Sequence, residues 1–305
     1  MTDRIDKIVG QVSSIILGKE RQIRLAFACL LARGHLLIED IPGVGKTMLA
    51  HAFATSLGLG FQRIQFTSDL LPADILGVSI YDREGRGFQF NPGPIFTQVV
   101  LADEVNRATP KAQSALLEAM EEHQVTTEGE TRRLPQPFFV IATQNPSHQV
   151  GTFPLPESQL DRFLMRIELG YPDTDAERAL LQGQDRRDLL DALAPCMEVK
   201  TLLELQARTR QIHSSGALLD YVQALVNHTR RSADYLNGLS PRAALALLHV
   251  ARAWALMDGR EHVVPEDVQA VLPGVVGHRL VATGQVTRVN GVDIAQHLID
   301  QVPIP

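Results

Sequence analysis

The sequence predicts an α/β fold in which a parallel sheet flanked by helices is followed by a smaller all-helical region. Three observations carry this expectation. Short apolar runs alternate with helical patterns up to Gly170-Tyr171-Pro172; strands separated by helices imply a parallel sheet. The alternation then stops. Beyond that point apolar residues recur at three-to-four spacing, the period of amphipathic helices. The division is therefore placed at 1–172 and 173–305.

The candidate strands are, in order, HLLIE (35–39), FQRIQF (61–66), QVVLA (98–102), FFVIA (138–142) and FLMRIEL (163–169). Between them lie two segments that alternate around glycines, 77–94 about Glu84-Gly85-Arg86-Gly87 and 124–137 about Glu128-Gly129. Both are hairpin candidates. Thr174-Asp175-Ala176-Glu177 reads as a capping box that opens the helical region. That region contains AERALLQGQDRRDLLDAL, GALLDYVQALVNHTRRSA and PRAALALLHVARAWALM, and the final QVPIP is expected to fray.

Composition narrows the function. The 29 basic and 35 acidic residues give a net charge of −6 with no Lys/Arg stripe, which disfavours nucleic acid as a partner. Cys29 and Cys196 are expected to be buried thiols rather than a disulfide or metal framework. MTDRIDKIVGQVSSII mixes charged and apolar residues, and no apolar run reaches about 18 residues, so a cytoplasmic protein without membrane insertion is expected. His123, His148, His213 and His278 are scattered and read as surface or core histidines.

EDIPGVGKT (39–47) is close to the phosphate-binding pattern G-x-x-x-x-G-K-[ST], with Asp40 where the first glycine belongs. A strand precedes it and a helix follows. Gly43 and Gly45 allow close backbone approach, Lys46 would meet β/γ-phosphates, and Thr47 would bind Mg²⁺. Asp tolerates unusual backbone angles better than most non-glycine residues, which would reconcile Asp40 with the loop. A bare glycine turn is the competing account. VVLADEVNRA settles it, because Asp103-Glu104 at the end of an apolar strand supplies a carboxylate for Mg²⁺ and a second to polarise water.

A third strand ends in Thr143-Gln144-Asn145-Pro146, where the Asn145 amide could orient water or touch the γ-phosphate; Asn-Pro also marks turns. Arg162 in ESQLDRF either stabilises transition-state charge in a neighbouring subunit or pairs with Asp161 at the surface. In LNGLSPRAALALL, Ser240 is an N-cap, Pro241 takes the first helical position and Arg242 falls in the first turn. A cation is disfavoured there, which hints at a nearby anion; a solvated arginine is the alternative.

Taken together, EDIPGVGKT, FTSDLLPADILG, FNPGPIFTQVVLADEVNRATPKAQSALLEAMEE, FFVIATQNP, ESQLDRF and LSPRA resemble, over nearly the whole chain, the MoxR family of AAA+ ATPases in the helix-2-insert clade. The resemblance implies a five-stranded AAA+ sheet of order 5-1-4-3-2 with a helical lid behind it. It implies ATP and Mg²⁺ as cofactors, with ATP held by Gly18, Pro42, Gly43, Val44, Gly45, Lys46, Thr47, Met48 and Asp103. Thr47 and Asp103 are the Mg²⁺ residues. Catalytic roles fall to Glu104, Asn145 as sensor 1, Arg162 as arginine finger and Arg242 as sensor 2. Leu17-Gly18-Lys19-Glu20 resembles the adenine-side segment.

The resemblance also implies self-association into a ring, a hexamer, and a chaperone-like motor that remodels, assembles or activates protein clients, alongside a von Willebrand factor A partner. In related ATPases such hairpins face the pore or the substrate; ordinary solvent-facing hairpins are equally compatible. Alternative functions are the motor subunit of a chelatase or dedicated enzyme activase, a nucleic-acid motor, and a nucleotide-gated module that hardly hydrolyses. Glu104 and Arg162 speak against the last.

Overall fold

The computed structural model describes residues 2–82, 87–145, 153–283 and 290–304. Helices α1 (Thr2–Ile15) and α2 (Glu20–Leu31) lead into β1 (Leu36–Glu39), α3 (Lys46–Ser56), β2 (Phe61–Gln65) and α4 (Pro72–Leu76). A hairpin comes next, β3 (Gly77–Asp82) and β4 (Gly87–Pro92), then β5 (Val99–Asp103), a 3-10 turn (Val105–Arg107) and α5 (Pro110–Glu122). A second hairpin, β6 (Gln124–Thr127) and β7 (Glu130–Arg133), precedes β8 (Phe139–Gln144), α6 (Glu157–Leu160) and β9 (Met165–Ile167).

Five strands pair in the order β2-β5-β8-β1-β9, every pair parallel. Numbered by core strand, this is the expected 5-1-4-3-2. β5 and β8 are buried at every residue, as their continuous apolar sequences require of strands covered on both faces. Successive residues point to opposite faces. Leu36 and Ile38 thus join the core built with α1, α2 and α3, while Leu37 joins the core under α5. β1 lies between β8 and β9, so the chain reverses its direction of sheet growth there; the carboxyl ends of β1, β5 and β8 open at such a point.

After β9 the described chain is helical: α7 (Thr174–Gln182), α8 (Arg186–Asp191), α9 (Val199–Thr209), α10 (Gly216–Arg231), α11 (Pro241–Met257), α12 (Pro265–Val276) and α13 (Gly291–Gln301). The start of α7 corrects the sequence reading. Asp173, not Thr174, is the cap, its Oδ1 accepting from Ala176 N at 2.8 Å. Ser240 caps α11 as expected, accepting from Ala243 N at 3.0 Å. The C-terminal tail is also better anchored than expected, because Val302 is buried in the main core. Cys29 is fully buried, and burial raises its thiol pKa; Cys196 is only half-buried.

Both hairpins form. β3 and β4 pair from Gly77↔Pro92 to Asp82↔Gly87, and the tip of the 77–94 segment lies outside the described residues. β6 and β7 turn at Glu128 and Gly129, both at positive φ, the geometry of a tight two-residue hairpin turn. The Arg132 guanidinium sits over the Phe90 ring, 3.8 Å from its centroid, joining one hairpin to the other.

Candidate functional site

Gly43 and Gly45 have φ of 89° and 94°, left-handed values that side chains other than glycine's resist, and Gly45 is the N-cap of α3. The loop between β1 and α3 can therefore fold back over the helix N-terminus with its N–H groups turned outward, the arrangement that receives phosphates. Pro42, Gly43, Gly45, Lys46, Thr47 and Met48 line a cleft of about 300 Å³, closed on the other side by Asp103, Glu104 and Asn145. Val44 packs partly buried against the main core.

Asp40 does not use the conformational tolerance proposed for it. Among the described residues, positive φ outside glycine occurs at Arg33, Glu104, His123 and Glu128, and Asp40 is absent from that set. Its side chain instead has a structural role: Oδ2 accepts from Leu169 N at 2.7 Å and Gly170 N at 2.6 Å, while Oδ1 accepts from Ile41 N at 2.8 Å. The carboxylate ties the start of the loop to the chain just beyond β9.

Lys46 Nζ donates to Asp40 O at 2.6 Å and to Asn145 Oδ1 at 3.3 Å. Burial pulls the ammonium below its ordinary pKa, against the opposing pull of the Asp40, Asp103 and Glu104 carboxylates.

The parallel register brings the ends of β5 and β8 together, with Ala102 opposite Ala142. Thr143 then stands beside Asp103. Its hydroxyl donates to Asp103 Oδ1 at 2.5 Å and accepts from Glu104 N at 2.9 Å, so one side chain positions both acidic residues. Glu104 adopts the left-handed conformation, φ 57° and ψ 47°, which for a non-glycine residue costs about 1–2 kcal/mol. The distortion turns its carboxylate toward Asn145, whose Nδ2 donates to Oε1 at 3.1 Å. Asn106 Nδ2 in turn donates to Asn145 O at 3.1 Å.

Sequence reasoning missed the contribution of β2. Arg63 bonds Asp103 Oδ2 through Nη2 at 2.6 Å and Nε at 3.1 Å, and Gln65 Nε2 donates to Glu104 Oε2 at 3.1 Å. The signal was present: FQRIQF is half polar, unusual for a parallel strand, and Gln65 pairs in register with Asp103. Arg107 adds an ion pair to Glu104 Oε2 at 3.1 Å.

Arg162 and Arg242 line no part of this cleft. Arg162 Nη1 donates to Leu117 O at 2.9 Å and pairs with Glu121 Oε2 at 3.2 Å; Arg242 pairs with the other oxygen of Glu121. The alternative that Arg162 pairs with Asp161 is corrected: Asp161 is taken by Arg279, at 2.6 Å from Nε, and by Ser240 Oγ at 3.0 Å. Arg279 also donates to Leu164 O, Val275 O and Phe163 O, fixing the segment before β9 against the helical region. Asp161 faces that network, and Arg162, the next residue, turns away from it.

Gly18 lies between α1 and α2 at φ 69°, where an added Cβ would meet Ala176 Cβ at 3.0 Å. The segment stays near the phosphate loop: a Cβ on Gly45 would stand 3.6 Å from Ile16 Cδ1. Thr47 and Asp103 both line the cleft, and a hydroxyl together with a carboxylate is a donor set that suits a hard cation such as Mg²⁺. Of the histidines singled out, His278 is buried on Phe163 O, and His148 lies outside the described residues. Among the described residues no helix is long and apolar enough to cross a membrane.

Comparison with known proteins agrees with this geometry. The ATPase family associated with various cellular activities (AAA) matches residues 35–165, and an AAA lid domain matches 227–298. The chain is 42% identical to the Bacillus subtilis protein YeaC over 99% of this chain and 95% of that one. It is 41% identical to the chaperone MoxR1 of Mycobacterium tuberculosis, over 92% of this chain and 76% of MoxR1. A crystal structure of a putative ATPase from Cytophaga hutchinsonii superposes with a TM-score of 0.90 at 35% identity, covering 100% of this chain and 96% of that one. With a parallel five-stranded sheet, a phosphate loop facing paired carboxylates and relatives of this similarity along its length, the chain belongs to the MoxR family of AAA+ ATPases.

Proposed function

We propose that the protein is a Mg²⁺-dependent ATPase that works as a ring, a hexamer, in the cytoplasm, and uses hydrolysis to remodel, assemble or activate protein clients. The observation that carries this is the convergence of Lys46, Asp103, Glu104 and Asn145 on one cleft while Arg162 and Arg242 lie outside it. Such a cleft holds the parts for binding a triphosphate and polarising water; its nearby guanidinium groups, Arg63 and Arg107, are committed to Asp103 and Glu104, which leaves open the place of the guanidinium that completes many phosphoryl-transfer sites. A neighbouring copy supplies it.

In this reading Gly43, Gly45 and the N-terminus of α3 receive the β- and γ-phosphates, with Lys46 as the fixed charge. Pro42, Val44 and Met48 shape the loop, and Gly18 borders the base. Thr47 and Asp103 would hold Mg²⁺, which neutralises phosphate charge when bound. Glu104 orients and polarises the attacking water; Asn145 holds that carboxylate and senses the γ-phosphate beside Lys46. Gln65 and Thr143 keep Glu104 in register. Arg162 and Arg242 act on the phosphates of an adjacent subunit.

We divide the chain into an AAA+ unit, 1–172, and a lid, 173–305. Client contact is assigned to the β3–β4 hairpin, on which Val78, Ile80, Tyr81 and Phe88 are exposed, with Phe88 at 78%. Exposed apolar clusters of this kind mark protein-interaction surfaces. A von Willebrand factor A protein is the partner class we assign.

The test is Glu104→Gln. The isosteric amide should retain ATP and lose turnover by about 10² or more, the scale of a positioned base. Proteins co-purifying with this variant in ATP, and released by ADP, identify the client. Near-normal turnover would remove Glu104 from the reaction, and failure of ATP to bind would remove the proposed cleft.

A further inference from the structure

Outside the nucleotide cleft, among the described residues, one group of side chains has the composition of a transition-metal site. His228 stands near the end of α10, Asp234 in the connection after it, and His297 on α13. One ring nitrogen of each histidine and one carboxylate oxygen all lie within 4.8 Å of one another. His297 Nε2 is 3.4 Å from Asp234 Oδ2, which also accepts from Ser232 Oγ at 2.7 Å. His228 brings a second observation: its Nε2 is buried and, among the described residues, has no hydrogen-bond partner. A buried polar nitrogen left unsatisfied costs free energy, and coordination is one way to satisfy an imidazole beside a carboxylate.

The backbone around the group is already fixed. Leu236 N donates to Val281 O at 2.9 Å and Thr283 N to Asp234 O at 2.8 Å, so the connection after α10 is held as a short ladder. α13 packs against α10 and α12, which sets His297 opposite that ladder. Asp234 and His297 are exposed, and their side-chain torsions can close the group onto an ion. Closure is required, since donor atoms around a tetrahedral ion with bonds of about 2.0–2.1 Å lie about 3.3 Å apart.

We propose that His228, Asp234 and His297 form a binding site for a divalent transition-metal ion of the zinc type, with water completing the coordination. Two imidazoles and one carboxylate suit Zn²⁺, Co²⁺, Ni²⁺ or Cu²⁺ and disfavour Mg²⁺ and Ca²⁺, which prefer oxygen-only sets. The site is separate from the Mg²⁺ assigned to ATP. Its three ligands come from α10, the connection after it and α13, so a bound ion cross-links the last helix to the body of the lid. Sequence spacing conceals it, because His297 is distant in the chain from the other two ligands.

The experiment uses the full chain without an affinity tag, stripped with a chelator and free of nucleotide. Zinc chloride is titrated by calorimetry, and Co²⁺ binding is followed by its visible absorption. The expected result is one tight equivalent of zinc, a tetrahedral-type cobalt spectrum, a higher Tm with zinc, and no displacement by excess Mg²⁺. His228→Gln, Asp234→Asn and His297→Gln should each weaken zinc at least about tenfold. The two exposed positions carry the test if the His228 variant fails to fold, with circular dichroism and ATPase turnover as folding controls. Absence of tight zinc binding overturns the proposal, as does uptake that persists in the Asp234→Asn, His297→Gln double variant.

Discussion

Arg162 and Arg242 meet on a single carboxylate, one on each oxygen of Glu121 at the end of α5. Two guanidinium groups this close repel, and the shared anion offsets the repulsion. Glu121 thus gathers both cations on one surface, away from the chain's own Lys46. In the proposed ring, a neighbour's phosphates compete with Glu121 for them. Because the three side chains are a third or more exposed, the pairs contribute little to stability, at most about 1 kcal/mol each. Glu121→Gln should leave Tm nearly unchanged and raise ATPase activity several-fold at low protein concentration, where assembly limits turnover. Lower activity at every concentration would mean that Glu121 orients the arginines instead of competing for them.

A shared active site makes a further demand. Arg162→Ala should bind ATP yet turn over about 10³-fold more slowly, and Lys46→Ala should not bind labelled nucleotide. Mixed, the two inactive variants form some interfaces with an intact phosphate loop facing an intact Arg162. Activity should reappear on mixing. Its absence despite co-assembly, with wild-type activity independent of concentration, would leave Arg162 as a surface ion-pair residue.

Asp40→Gly restores the phosphate-loop consensus and, by this structure, should harm the protein. It strips the Leu169 and Gly170 amides of their acceptor and adds backbone freedom to the unfolded chain. The expected loss is about 2 kcal/mol or more, read from the denaturant midpoint. A more stable Asp40→Gly variant would refute the anchoring role.

His35 gives the protein a defined response to acid. Val140 N donates to its Nδ1 at 3.0 Å, so Nε2 carries the proton and donates to Met120 O at 3.1 Å. Burial, the largest cause, lowers its pKa to about 4 from the usual 6.5. Between these values the unfolded chain binds more protons than the folded one, so this residue's contribution is complete above pH 6.5 and is lost as pH falls toward 4. The full effect is about 3 kcal/mol. Stability of wild type measured against pH should fall more steeply across that window than stability of His35→Gln. Parallel curves would show that His35 is not held neutral.

The sheet order was legible through the family resemblance, and the meeting of Lys46, Asp103, Glu104 and Asn145 because each rests on local sequence. An apolar strand ends, a polar pair or a glycine loop begins, and parallel pairing brings the ends together. Glu121 was not legible. It is one of several acids in EAMEE, and only the tertiary fold gives it two arginines. Arg63 and Gln65 were legible in principle from the polar residues of their strand. Asp40 was read through its backbone because the motif is defined by backbone, whereas its carboxylate acts on amides that are distant in sequence. The α7 cap differs by one residue because Asp173 and Thr174 are both good caps, and it is Asp173 that has the extended backbone and bonds Ala176 N.

The Arg132–Phe90 contact carries a mechanical consequence. A cation over an aromatic face contributes about 0.5–1 kcal/mol at an exposed site, enough to make the hairpins favour moving together. α5 runs from the Asp103-Glu104 side of the sheet to Glu121 and passes at His123 directly into β6, so it joins the arginine-bearing surface to the paired hairpins. In the proposed ring, a tilt of that helix as Arg162 and Arg242 leave Glu121 would carry both hairpins with it, Phe88 included.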